Sequence, residues 1–133
     1  MKRYLLAMTM ALCLTGSDGP VAADEAPRVT GLFSDMRRIA EAGDVVGMEV
    51  FIVYSTDGIR GRHWAFVQIA EGVPAQPFLV EVSVAGDQIQ FVLPKATGIP
   101  GRFVGRVTKN GLAGKFDYSG QEVTLARKKS YWQ

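Results

Sequence analysis

The stretch RFVGRVTKNGLAGKFDYSGQEVTLARK, Arg102 to Lys128, decides the fold. Apolar residues and glycines recur at every second position through it, the period of a strand with one buried face. Asn110-Gly111 in its middle is a strong short hairpin signal. A two-residue type I′ turn needs positive φ at both central positions, which Asn tolerates and Gly adopts freely. A turn there sets Lys109 opposite Leu112, Val107 opposite Gly114, Gly105 opposite Phe116 and Phe103 opposite Tyr118. One face then holds Phe103, Gly105, Val107, Leu112, Gly114, Phe116 and Tyr118. The other holds Arg102, Val104, Arg106, Thr108, Ala113, Lys115 and Asp117. Each glycine leaves room for a bulky residue across from it, which suits a curved sheet around a narrow interior. A second turn near Ser119-Gly120 returns Gln121 to Lys128, with Val123 and Leu125 inward and Glu122, Thr124, Ala126 and Lys128 outward.

Upstream the pattern repeats. Phe78 to Val84 and Gln88 to Leu93 flank Ala85-Gly86-Asp87 as another hairpin, with Ile89, Phe91 and Leu93 on the buried side. Gly47 to Tyr54, GMEVFIVY, and His63 to Ala70 read as two further strands rich in β-branched and aromatic residues. The loop from Ser55 to Arg62 joins them, and a Gly/Pro loop from Glu71 to Pro77 ends the second. The outward face of GMEVFIVY carries Phe51 and Val53 beside Glu49, so a neighbour is expected to cover it. Residues 33–42 fit two elements. Ser34, Asp35 and Gly43 cap a short helix with Phe33, Met36 and Ile39 on one side, or Phe33, Asp35 and Arg37 alternate with Leu32, Ser34 and Met36 in a strand. The sheet needs a first member, which favours the strand. The expected fold is all-β: a single antiparallel up-and-down sheet of about eight strands, closed or partly closed into a small barrel, because closure removes exposed edges.

Lys2 and Arg3, the apolar run Tyr4 to Leu14, and Val21-Ala22-Ala23 together have the layout of a secretory signal peptide. The run is shorter than the roughly 20 residues a membrane-spanning helix needs. Cleavage after Ala23 removes 23 of 133 residues and leaves 110, one domain over 24–133. Cys13, the one cysteine, leaves with the leader; Leu12 before it is bulkier than a lipid-attachment site wants. The mature chain is then expected to have no disulfide, thiolate metal site or cysteine nucleophile, and its stability rests on packing. Periplasmic or secreted localisation follows.

Charge is divided unevenly. Asp24 to Gln90 holds ten acidic and five basic residues, net −5, while Phe91 to Gln133 holds two and eight, net +6. Arg106 and Lys115 are expected to face each other across the outer side of the hairpin, a pairing that costs energy unless an anion sits near. Either Asp117 and the acidic half of the chain balance them, or they form a docking face for an anionic partner. The mature net charge of +1 is too small for a phosphate-tracking surface, so nucleic acid is an unsuitable partner.

Gly43-Asp44-x-x-Gly47-x-Glu49, then Gln68-Ile69-Ala70-Glu71-Gly72-Val73-Pro74, then the ending Lys129-Ser130-Tyr131-Trp132-Gln133 resemble a set of small exported bacterial β proteins. That resemblance implies a fold and an export route but no reaction. A looser similarity is to lipocalin-like barrels, whose first strand opens Gly-x-Trp with a basic residue of the last strand over the indole. Gly31-Leu32-Phe33 and Arg127 take those places here, with Phe for Trp in a shorter chain. The similarity concerns shape, and shape does not fix function.

Three functions compete. An exported binding barrel would hold a small apolar ligand in its mouth, lined by some of Phe33, Trp64, Phe66, Phe91, Phe103, Phe116 and Tyr118. A protein-interaction module or inhibitor acting on an envelope protein would instead have a filled interior, an apolar surface patch and contacts through Arg106, Lys115, Tyr131 and Trp132. A hydrolase-type enzyme would bring Asp44, Glu49, Glu71 and the single histidine, His63, into one cleft. No serine or threonine lies in a nucleophile turn, and one histidine without cysteine makes no ordinary zinc site. No cofactor and no metal are called for.

Overall fold

A computed structural model describes residues 28–56 and 58–130. The expected signal peptide and the Tyr131-Trp132 pair fall outside these residues. Nine strands follow in order: β1 (Gly31–Ser34), β2 (Arg37–Arg38), β3 (Val45–Thr56), β4 (Gly61–Gly72), β5 (Phe78–Ala85), β6 (Gln88–Leu93), β7 (Gly101–Val107), β8 (Gly111–Phe116) and β9 (Glu122–Lys128). A single 3-10 turn, Lys95–Thr97, lies between β6 and β7. All pairings are antiparallel, in the order β1-β9-β8-β7-β6-β5-β4-β3-β2, and a further pairing of β1 with β3 closes the ring. The fold is therefore the expected antiparallel barrel.

Residues 33–42 contain strand rather than helix. β1 and β2 are two pieces of one strand in unbroken register with β3, Ser34 opposite Glu49 and Arg37 opposite Val46. Between them Asp35 Oδ1 accepts the Met48 N–H at 2.7 Å, so a side chain stands in for a ladder carbonyl. Ser34 Oγ accepts the Met36 N–H at the same break. β3 and β4 are longer than their apolar segments, and only residues 57–60 separate them.

The hairpin at the centre of the sequence differs from expectation by two residues. Phe103 pairs with Phe116, Gly105 with Gly114 and Val107 with Leu112, so Lys109-Asn110 forms the tip rather than Asn110-Gly111. Among the described residues none other than glycine has positive φ, which excludes a type I′ turn at Asn110. Thr108 decides the turn instead: its hydroxyl accepts the Asn110 and Gly111 N–H groups, and its own N–H donates to the Gly111 carbonyl at 2.8 Å. Gly111 is drawn into β8, where a Cβ would collide with the Leu125 carbonyl oxygen. The slip is even, so the residues of β7 and β8 keep their faces. Tyr118 does not: it falls in the turn after β8 and is 79% exposed.

The same shift corrects the outer charges. Arg106 lies opposite Ala113, and Lys115 lies between Val104 and Glu122. Arg106 pairs with Asp87 at 2.8 Å, a contact between the acidic and basic halves of the chain. Asp117 Oδ1 accepts the Arg102 N–H at 2.9 Å.

Counting β1 and β2 as one, every strand has a paired neighbour on each side, and at one end of the barrel these pairings close the ring. Toward the other end the wall opens at two seams. β9 meets β1 only through Ala126 to Lys128, and β5 meets β6 only through Ser83 to Ala85. Beyond those contacts β2–β5 and β6–β9 each continue as a paired run of four strands.

Candidate functional site

The interior is built from rings. Phe91 and Phe103 stack with centroids 4.9 Å apart, and Phe116 meets Phe103 at 5.3 Å in a tilted pair. Phe33, Val50, Ile52, Val67, Leu112 and Leu125 pack the remaining volume, each at most 1% exposed. Gly105 and Gly114 face each other across β7 and β8, and a Cβ on either would lie 2.6 Å from the Phe103 ring. The paired glycines make the space that this one ring occupies. Of the seven residues expected to line a ligand cavity, Phe33, Phe91, Phe103 and Phe116 are core. Trp64 and Phe66 point outward, because Ala65 and Val67 take the inward positions of β4. Tyr118 sits in its exposed turn.

The closed end is fastened by Arg127. Its guanidinium carbon lies 4.6 Å from the centroid of the Phe33 ring. Its nitrogens donate to the carbonyls of Thr30 at 3.0 Å, Arg28 at 2.7 Å and Thr108 at 3.3 Å. A Cβ at Gly31, where φ is +142°, would come 2.6 Å from the same guanidinium. Burial pushes the Arg127 pKa down from its ordinary value. This matches the place given to Gly31, Phe33 and Arg127 by the lipocalin-like similarity.

His63 lies at the same end, with its ring centroid 5.0 Å from that of Tyr54. Burial lowers its pKa from 6.5. The unfolded chain therefore binds the proton more readily than the folded one. The full contribution of neutral His63 to stability is present above pH 6.5 and declines as pH falls through the lowered folded value. Urea midpoints at pH 7.5 and 5.5 should show a loss on acidification that is smaller in His63→Gln. Equal losses in the two proteins would remove His63 as its source.

At the open end the seam between β9 and β2 leads into a slot of about 240 Å³. Met48, Ile69, Ile99, Phe116 and Val123 form its apolar part, and Asp35, Glu71 and Glu122 stand on its polar rim.

The outer wall departs from an ordinary solvated face over β1, β3, β4 and β5. Register aligns Leu32, Phe51, Phe66 and Leu79 in one outward row across β1, β3, β4 and β5. Val53 and Trp64 lie in the next row, ending at Glu81. Phe66 is 46% and Leu79 57% exposed, values far from those of the core rings. Ser34, Glu49 and Gln68 bound this apolar band on one side, and Ser55 and Arg62 bound it on the other. Phe51 and Val53 in GMEVFIVY were the sequence signal for the band. Leu32 and Leu79 carried none, because their places in the row depend on strands distant in sequence.

The charged residues do not converge on a reaction centre. Asp44 precedes β3 and Glu71 lies near the end of β4, at the open end of the barrel. Glu49 faces outward beside the apolar band, while His63 pairs with Tyr54 at the far end of the same two strands. Glu49 and Tyr54 lie five positions apart on β3, about 16 Å of strand. Among the described residues no group of three or more His, Cys, Asp or Glu side chains is placed to hold a metal ion. No described helix is long and apolar enough to cross a membrane.

Fold and surface together define a small closed antiparallel β-barrel of eight strands, counting β1 and β2 as one, consistent with a lipocalin-like fold. Its distinguishing features are a ring-packed core, an arginine clasp and one apolar outer band. No family model, no curated protein and no solved structure matches the chain.

Proposed function

We propose that this protein is an exported, non-catalytic protein-interaction module whose partner docks on the outer band of β1, β3, β4 and β5. The observation that carries this reading is the row Leu32, Phe51, Phe66 and Leu79. It places apolar side chains, Leu32 and Phe51 partly buried and Phe66 and Leu79 about half exposed, on the outside of a barrel whose inside is already filled. Apolar residues scattered singly need no explanation, but a contiguous band with polar margins marks a contact surface. Export rests on the leader-like residues 1–23 and on the resemblance to small exported bacterial β proteins through Gly43 to Glu49, Gln68 to Pro74 and the closing Ser-Tyr-Trp-Gln.

The test is photo-crosslinking in intact bacteria. A benzoylphenylalanine at position 66 or 79 should give adducts in the envelope fraction on a chain beginning at Asp24. The same probe at Val104, also 46% exposed but on β7, should give none. Adducts at all three positions, or at none, would remove the band as the docking face. Adducts on a chain that keeps residues 1–23 would remove export.

A second reading draws on the slot at the open seam, whose apolar part suits a small apolar or amphipathic ligand. It requires native mass spectrometry of the purified barrel to show a bound mass that Val123→Trp expels. Apo mass alone counts against it.

A further inference from the structure

We infer that the partner on this band is a second copy of the chain, joined by a two-fold axis that sets Glu49 of each copy on Arg62 of the other. The inference rests on the docking-face reading above and adds the identity of the partner. Its warrant is the order of charges around the band. Glu49 lies two residues before Phe51 on β3, in the row with Gln68. Arg62 lies two residues before Trp64 on β4, opposite Ser55. Over β3 and β4 one margin of the band thus carries Glu49 and the other Arg62, with two apolar rows between them.

An axis perpendicular to the strands, passing between the row of Phe51 and the row of Val53, turns the band onto itself with the margins exchanged. Phe51 and Phe66 of one copy then lie over Val53 and Trp64 of the other, and each Glu49 comes over the partner's Ser55–Arg62 row. Such a contact is self-complementary and closes at two copies. β3 and β4 are the middle of the band, where two convex walls approach most closely. The Glu49 carboxylate makes no hydrogen bond or ion pair among the described residues. Arg62 is held by Glu81 at 3.3 Å in a pair more than half exposed, which leaves it able to reach a second carboxylate.

Four strands and two rows cover roughly 19 Å by 13 Å, less than the ~800 Å² per partner of a standard interface. The dimer is therefore weak and depends on concentration. It gives the neighbour expected from the apolar outward face of GMEVFIVY a definite identity.

Sedimentation velocity on the mature protein, from low to high micromolar concentration, tests this. The wild type should pass from monomer to dimer, and Phe66→Glu should stay monomeric with an unchanged circular dichroism spectrum. Glu49→Lys and Arg62→Glu alone should each weaken association about tenfold, because two attractive contacts become repulsive. An equimolar mixture of those two variants should regain wild-type association, since in the mixed dimer the two substituted positions bring opposite charges to one contact and the native pair forms at the other. Four results overturn the inference: a wild type that is monomeric throughout, a Phe66→Glu variant that still dimerises, single variants that associate as the wild type does, or a mixture no stronger than its components. If the wild type is monomeric while probes at 66 and 79 still crosslink to a foreign mass, the second copy is excluded and the docking face stands. If neither occurs, both fail.

Discussion

Phe103→Ala is expected to lower stability by about 3–5 kcal/mol, the range for removing a buried ring. Small domains hold only about 5–15 kcal/mol in total, so much of the variant population should be unfolded well below the wild-type midpoint. The ring is fully buried, stacks on Phe91, abuts Phe116 and lies across two glycines that have no side chain to collapse into the space. Phe66→Ala is the matched control. It removes the same atoms from an outward position that is 46% exposed, and should cost less than about 1 kcal/mol in the monomer. Urea unfolding at low protein concentration reads both. Similar losses in the two variants would mean that the interior is not the filled one described here.

Arg127→Ala is expected to cost about 2–4 kcal/mol, from charge-assisted hydrogen bonds and a cation–π contact that cannot all re-form with water. The truncated side chain leaves the carbonyl of Thr30, a residue only 7% exposed, without its donor. Arg127→Lys should recover only a minor part. An ammonium lacks the planar fork that lies on the Phe33 ring while reaching three separate carbonyls. Gly31→Ala should produce a comparable loss by a different route, since its Cβ would displace the same guanidinium from a backbone with φ of +142°. Amide exchange should report where the loss falls: protection should drop first in β1 and at the end of β9. Uniform loss through all strands, or a lysine variant as stable as the wild type, would contradict the clasp.

Much of the barrel was legible in residues 78–128. Phe103, Val107, Leu112, Phe116 and Leu125 are buried as their alternation requires, and so are Ile89, Phe91 and Leu93. The register was less legible. Thr108 competes for the turn with its hydroxyl, and Gly111 serves a close approach to β9 instead of a turn. Both effects depend on neighbours rather than on the Asn-Gly pair itself. Tyr118 was misplaced for the same reason. Arg106 was expected to face Lys115, but it turns to Asp87, which the β5–β6 turn brings beside it.

The candidate site was less legible than the fold. Trp64 and Phe66 announced themselves as aromatics, but their side of the wall depends on the inward places of Ala65 and Val67. Ala70 shows the converse. It lies on the outward parity of Phe66 and Gln68 and is still buried, because the loop after β4 folds over it, with Pro74 bridging to Ala70 and Gln68 Nε2 donating to the Ala75 carbonyl. The Arg127–Phe33 contact joins residues far apart in the chain and was visible only through the likeness to barrels that carry Gly-x-Trp in the first strand.

The chain by itself determined which side chains of each clearly alternating strand share a face. Alternation is local, fixed by a pleat that turns successive residues to opposite sides, and it survived a hairpin that slipped by two. Only the tertiary structure decided which of those faces line up around the wall. Leu32, Phe51, Phe66 and Leu79 form one band, and Glu49 and Arg62 occupy opposite margins of it, because ring closure fixes the stagger of β1 on β3, β3 on β4 and β4 on β5 together. That stagger is a property of the closed sheet, and no single segment of the chain contains it.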